Sequence, residues 1–255
     1  MNALKAIIFD VDGTLADTEN VHRVCFNRAF LTAGLPWHWT QAEYGELLKI
    51  TGGKERIAHY IDTYQPGILT TRERDELVAD LHRAKTRFYE RTILSGSMRL
   101  RPGVAALIAE ACAKGIRMAV ATTTSPPNVV ALLQSTLGLD ALTLFDAIAA
   151  GDSVPRKKPA PDVYFSVLEK LGLPASACTA IEDSQNGLQS ALGAGLVTLV
   201  TPSTYTAAED FTGAVRVVHA LTELADGADE GPAILESLCA LHQRAALSVV
   251  ADGHT

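Results

Sequence analysis

The chain has 255 residues, 47% of them hydrophobic, enough to fill one large domain or a core with a smaller module beside it. Its 29 acidic and 22 basic residues give a formal charge of -7, which argues against broad nucleic-acid binding and against anchoring to anionic membranes, since both need surplus Lys and Arg. No apolar run approaches the ~20 residues of a membrane span and no signal-peptide core precedes Asp10, so a soluble cytoplasmic monomer is expected.

The first element is an apolar run over residues 6–9 that reads as a strand ending at Asp10. In a strand, side chains at i and i+2 share a face, so Asp10 and Asp12 meet at one strand end, and Gly13 lets the chain turn just past them. After Thr18 the apolar period lengthens to about 3.6. Val21, Val24, Cys25 and Ala29 mark a helix that Gly34 and Pro36 end. Thr40 with Glu43, and Thr70 with Glu73, have the spacing of capping boxes that start two further helices. Gly52 and Gly53 interrupt before another helical stretch carrying Ile57 and Ile61, and the helix begun at Thr70 runs to about Arg91. Trp37 and Trp39 are expected to pack inside this helical block rather than form a sugar platform.

From Met98 onward helices alternate with short apolar strands. Pro102 starts a helix that Gly115 ends, followed by a strand over 116–121, a helix over 128–137 and a short strand over 145–148. A helix over 161–171, a strand over 178–181, a helix over 186–194 and a strand over 196–200 continue the pattern. Residues 215–218 read as an edge strand, and a helix from Pro232 to about Val249 closes the chain. Such alternation predicts an α/β fold, a Rossmann-like parallel sheet with helices on both faces. The opening strand belongs to that sheet, because one short strand cannot bury itself among helices. The expected division is therefore a core of residues 1–16 and 97–255 with an inserted all-helical cap over 17–96, hinged near Ala16 and Ser97. Cys25, Cys112, Cys178 and Cys239 lack CxxC spacing, so reduced and mostly buried thiols are expected rather than a zinc site or a disulfide framework.

Ligands of open parallel sheets bind at the carboxyl ends of the strands. Asp10 with Asp12, Thr122, Lys158, and Glu182 with Asp183 all fall at such ends. Each has an ordinary reading by itself: Glu182 and Asp183 as acids at a helix N-terminus, Lys158 as a surface lysine, Thr122 as a cap. A calcium loop at Asp10 is disfavoured, since its positions 6 and 12 hold Leu15 and Val21 instead of Gly and Glu. Taken together, the set suits phosphoryl transfer from a monoester. Asp10 would attack phosphorus, and Asp12 would protonate the leaving oxygen and later take a proton from water. The acid role needs a carboxyl pKa above the ordinary value of about 3.9, which crowding by other carboxylates and partial burial would supply. Mg²⁺ would be held by Asp10, the Asp12 backbone carbonyl and Asp183, with Glu182 acting through water. Thr122 and nearby backbone N–H groups would hold phosphate oxygens, and Lys158 would offset charge.

The run Asp10-Val11-Asp12-Gly13-Thr14, Thr122, the run from Lys158 to Asp162, and Ile181-Glu182-Asp183-Ser184 resemble the four motifs of the haloacid dehalogenase superfamily over nearly the whole chain. The helical insert is similar to that superfamily's C1 cap. Within it the sequence is most similar to the β-phosphoglucomutase-like sugar phosphatases, especially the CbbY-type xylulose-1,5-bisphosphate phosphatases of carbon-fixing organisms. The resemblance implies a Mg²⁺-dependent enzyme with Asp10 as nucleophile, Asp12 as acid and base, and a small sugar phosphate as substrate. Carried over by position, Asp17, His22, Tyr44, Gly52, Gly53, Lys54, Arg56, Lys85, Thr123 and Thr124 are candidate substrate, cap or hinge contacts. Lys54, Arg56 and Lys85 are the cations that a second phosphate would require, against the alternative of a solvated helix face. Pro126 and Pro127 depart from the mutase pattern, which leaves a mutase as the alternative activity and a non-catalytic sugar-phosphate sensor as a third reading.

Overall fold

The computed structural model describes residues 3–67, 69–225 and 233–252. Six strands form one parallel sheet in the order β3-β2-β1-β4-β5-β6. They are β1 Ala6–Phe9, β2 Arg117–Ala121, β3 Ala147–Ala149, β4 Cys178–Glu182, β5 Val197–Val200 and β6 Arg216–Val217. β1 lies inside the sheet, with Ile8 opposite Ala119 of β2 on one side and Ala180 of β4 on the other. The expectation that the first strand joins the later sheet therefore holds.

Its side chains alternate as a strand covered on both faces requires. Ile7 and Phe9 pack in a cluster with Val104 and Leu107 of α5 (Val104–Lys114), Val129 and Leu132 of α6 (Pro126–Leu137), and Leu238 of α9 (Ile234–Asp252). Ala6 and Ile8 face the opposite cluster, with Val163 and Val167 of α7 (Asp162–Leu171) and Ala191 of α8 (Gln185–Gly193). Each fully buried aliphatic side chain here contributes roughly 1.5–3 kcal/mol against exposure. The helices change face between β1 and β4, so the strand order reverses there and a crevice opens at the strands' carboxyl ends.

Between β1 and α5 run α1 (Glu19–Thr32), α2 (Gln41–Leu47), α3 (Gly53–Tyr64) and α4 (Thr71–Thr92), followed by a π-helical turn, Ile93–Ser97. Both predicted capping boxes are formed, Thr40 with Glu43 and Thr70 with Glu73. This block has its own core, in which Trp39 is fully buried against Phe26, Phe30, Tyr44 and Tyr60, and Trp37 packs edge-on to Phe30 and Tyr60.

Several boundaries move. The strand expected at 145–148 is Ala147–Ala149, because Phe145 closes a 3₁₀ turn and the Asp146 carboxylate accepts from Arg117 Nε at 2.9 Å. Pro126 and Pro127 lie inside the first turn of α6, where a missing N–H has no intrahelical acceptor to lose. Pro102 precedes rather than starts α5, whose cap is the left-handed Gly103. The predicted closing helix is α9, but Pro232 lies outside the described residues. All four cysteines are free; Cys25 and Cys178 are buried, Cys239 is half-buried, and Cys112 is exposed, contrary to mostly buried thiols. Among the described residues no helix is long and apolar enough to cross a membrane.

Candidate active site

The carboxyl end of β1 turns directly into the Asp10–Gly13 loop. Gly13 adopts a left-handed φ of +85°, and a Cβ there would lie 2.0 Å from Asp183 Oδ2. Glycine thus serves two needs at once, the turn and the close approach of a second acidic strand end. β4 ends in Glu182, and Asp183 follows it. Asp10, Glu182 and Asp183 bring one oxygen each to within 4.8 Å of one another, and all three residues are buried.

One ammonium group enters this cluster. Lys158 Nζ donates to Asp10 Oδ1 and Glu182 Oε1, both at 2.6 Å, and to Ala121 O at 2.9 Å. An ammonium has three N–H donors, so all are taken. Lys158 therefore offsets charge on Asp10, as expected, with no donor left over for a phosphate oxygen. Its neighbours are engaged elsewhere, Arg156 with Asp162 and Lys157 with Asp152, which leaves Lys158 as the cation at the strand ends.

One buried cation cannot neutralise three buried carboxylates. Burial, with Glu182 and Asp12 adding to it, outweighs the attraction of Lys158 and pushes the Asp10 carboxyl up to about 8. Burial likewise raises Asp183 well above the carboxylate range, reinforced by Asp10 and Glu182. Glu182 Oε2 is buried without a partner. An all-oxygen donor set, surplus negative charge and an orphaned carboxylate oxygen fit a hard divalent cation.

Asp12 behaves differently from the expectation. Its side chain is outside the acidic cluster and turns toward α1, where Oδ1 accepts from Thr18 Oγ1 at 2.5 Å and lies 2.8 Å from His22 Nε2. Burial alone would raise its carboxyl, but His22, Thr18 and Lys85 together hold it below the usual carboxylate range. The expected rise is thus reversed, because the crowding carboxylates lie on one side and hydrogen-bond donors and cations on the other. His22 is itself buried and stacks on Tyr89 at 4.2 Å between ring centroids.

A cavity of about 100 Å³ opens over Asp10, between the strand ends and α1–α4. Of the predicted contacts, His22, Gly52, Gly53, Arg56 and Lys85 line it from the helical block, and Thr123 and Thr124 from the loop after β2. Thr122 is buried beneath that loop, where its Oγ1 accepts from Thr124 N at 3.3 Å. Arg56 Nη1 donates to Tyr44 OH at 3.0 Å and its Nε to Leu47 O, which aims a buried guanidinium at the cavity. Lys85 is 4% exposed and lies over the rings of Phe26 and Tyr89; burial pushes its ammonium down to about 8.

Three predicted contacts do not line this cavity. Tyr44 is buried behind it and passes a hydrogen bond from Arg56 to Glu19 Oε2 at 2.8 Å. Lys54 turns outward to Asp152 Oδ2, and Asp17 points to the far side of Gly13, 3.5 Å from Arg101 Nε. Sequence reasoning missed others. Glu19, in the first turn of α1, lines the cavity. His82 lies three residues before Lys85, a helical spacing that places both on one side of α4, and it lines the cavity as well. Arg101, just before α5, donates to the carbonyls of Gly13, Thr201, Pro202 and His219 and so ties the Asp10–Gly13 loop to the end of β5.

The parallel sheet carries this acidic cluster at its switch point, and residues 4–195 match the haloacid dehalogenase-like hydrolase family. The chain belongs to that family and is an enzyme. It is 52% identical to protein CbbY of Rhodobacter capsulatus over 211 residues, 83% of this chain and 91% of that protein. A crystal structure of a CbbY mutant from Rhodobacter sphaeroides in complex with xylulose-(1,5)bisphosphate matches with a TM-score of 0.82 at 49% identity, over 87% of this chain and 96% of that one. A β-phosphoglucomutase from Clostridium difficile matches with a TM-score of 0.75 at 18% identity, over 96% of this chain and 99% of that one, a likeness of fold.

Proposed function

We propose that this enzyme is a Mg²⁺-dependent phosphatase of a small sugar bisphosphate, with xylulose 1,5-bisphosphate as its preferred substrate. The observation that carries the reading is the pairing across one cavity of Asp10, held by Lys158, with the buried cations Arg56 and Lys85. The first set suits the phosphoryl group transferred, and the second suits a phosphate that stays on the sugar. The CbbY complex with xylulose bisphosphate supports the same substrate class. Residues 1–16 and 97–255 are read as the catalytic core and residues 17–96 as a hinged cap that selects the substrate.

An Asp10 carboxylate oxygen attacks phosphorus, the bond from phosphorus to the sugar oxygen breaks, and an aspartyl phosphate forms. Asp12 gives its proton to the departing alkoxide. It then takes one from the water that cleaves the aspartyl phosphate, returning free Asp10 and inorganic phosphate. In the resting arrangement Thr18, His22 and Lys85 hold Asp12 ionised, so the acid role requires these groups to draw back and Asp12 to take up a proton from solvent, which burial then favours. Mg²⁺ held by Asp10, Glu182 and Asp183 would neutralise their charge and that of the phosphate oxygens. Thr123 and Thr124 offer donors to those oxygens, the role first expected of Thr122.

The test is a phosphate-release assay with Mg²⁺ and a panel of pentulose and hexose bisphosphates beside their monophosphates. Faster turnover of a bisphosphate, abolished in Asp10→Asn, is expected. Isomerised sugar phosphate without net phosphate release would instead identify a mutase.

A further inference from the structure

Tyr164 has a partner that its apolar helical spacing does not announce. Its ring is fully buried among Ile8, Val163 and Val167 on one face of the sheet, a place that phenylalanine would fill equally well. Its hydroxyl, however, leaves that cluster and donates to Glu182 Oε1. Lys158 Nζ donates to the same oxygen and lies 5.2 Å from the centroid of the Tyr164 ring. With two donors on Oε1, the Glu182 carboxylate cannot rotate without losing both.

The other oxygen is left bare. Glu182 Oε2 is buried and has no hydrogen-bond partner. Gly187 backs the carboxyl group so closely that a Cβ there would fall 1.9 Å from Oε2. A buried carboxylate oxygen in this condition is costly unless a cation or water meets it. Glu182 also belongs to the acidic cluster with Asp10 and Asp183. We propose that Tyr164 is a positioning residue for the metal site, whose hydroxyl fixes the Glu182 carboxylate so that Oε2 is the oxygen presented to the cation. The proposal rests on the divalent-metal reading of this cluster. It differs from simple core packing in requiring the hydroxyl, not the ring.

The test is calorimetric titration of Mg²⁺ into the wild type, Tyr164→Phe, Glu182→Gln and the double variant, without substrate. Tyr164→Phe is expected to weaken Mg²⁺ binding by about 10-fold while the metal-free melting temperature stays close to wild type. Because Tyr164 acts through Glu182, the double variant should bind no more weakly than Glu182→Gln alone. Wild-type affinity in Tyr164→Phe, or additive losses in the double variant, would overturn the proposal. A wild type that binds no Mg²⁺ would remove the metal reading itself and this proposal with it. If Tyr164→Phe folds poorly, 4-fluorophenylalanine at position 164 fills the place of the hydroxyl without its donor, and wild-type Mg²⁺ affinity there also overturns the proposal.

Discussion

Lys54 Nζ lies 2.6 Å from Asp152 Oδ2 and so joins α3 to the loop after β3. Lys157 reaches the same carboxylate, and the two ammonium groups hold the Asp152 carboxyl at about 2. Lys54 and Asp152 are 44% and 64% exposed, so solvent screens the contact and it contributes only ~0–1 kcal/mol. Lys54→Ala should accordingly lower the urea midpoint slightly and speed amide exchange at the start of α3. It should leave KM for the bisphosphate within about twofold. A large rise in KM for bisphosphate alone would return Lys54 to the substrate contacts.

Two glycines with similar backbone conformation separate strain from collision. Gly13 and Gly96 have φ of +85° and +79°, but a Cβ at Gly96 meets nothing within 4 Å, whereas at Gly13 it strikes the Asp183 carboxylate. Gly96→Ala should cost only the ~1–2 kcal/mol of a left-handed non-glycine residue. Gly13→Ala should cost more and also erase the rise in melting temperature produced by Mg²⁺. Differential scanning calorimetry with and without the ion checks both.

Lys158 is the sole side-chain cation hydrogen-bonded to Asp10 and Glu182 among the described residues. Removing one member of a buried charge network strands the others, at roughly 3–5 kcal/mol. Lys158→Gln should therefore lose both turnover and stability. Mg²⁺ should restore part of the stability and none of the turnover. Full stability in the metal-free variant, measured by urea unfolding, would contradict the charge accounting.

His82 supplies a pH signature. Burial, reinforced by Lys85 and Lys54 and opposed by Asp152, pushes its pKa from 6.5 down to about 3. The unfolded chain thus takes up a proton below 6.5 that the folded chain refuses, so stability falls as pH drops through that window toward 3. In His82→Gln this component disappears. Urea midpoints across that range should fall less steeply with acid than in the wild type.

Much of the core was legible because its rules are local. Strand ends were marked by Asp10, Thr122 and Glu182, whereas Lys158, expected at one, lies in the loop between β3 and α7 and reaches the strand ends only through its side chain; the alternation of helices and strands implied the parallel sheet that brings them together. The helical block was less legible. Lys54, Arg56 and Lys85 were equivalent as sequence letters, yet Arg56 and Lys85 are buried at the cavity and Lys54 is spent on Asp152. Tyr44, placed among the substrate contacts, is instead the link between Arg56 and Glu19.

By itself, then, the sequence determined which chemical groups stand at the strand ends, since apolar periodicity and turn residues act over a few positions. Only the tertiary structure decided how those groups divide their hydrogen bonds. Lys158 gives all three N–H groups to protein oxygens, and Asp12 faces donors from α1 that hold it ionised. Burial and partner geometry set protonation and direction, and the partners that decide them range from six positions apart, as for Asp12 and Thr18, to 148, as for Asp10 and Lys158.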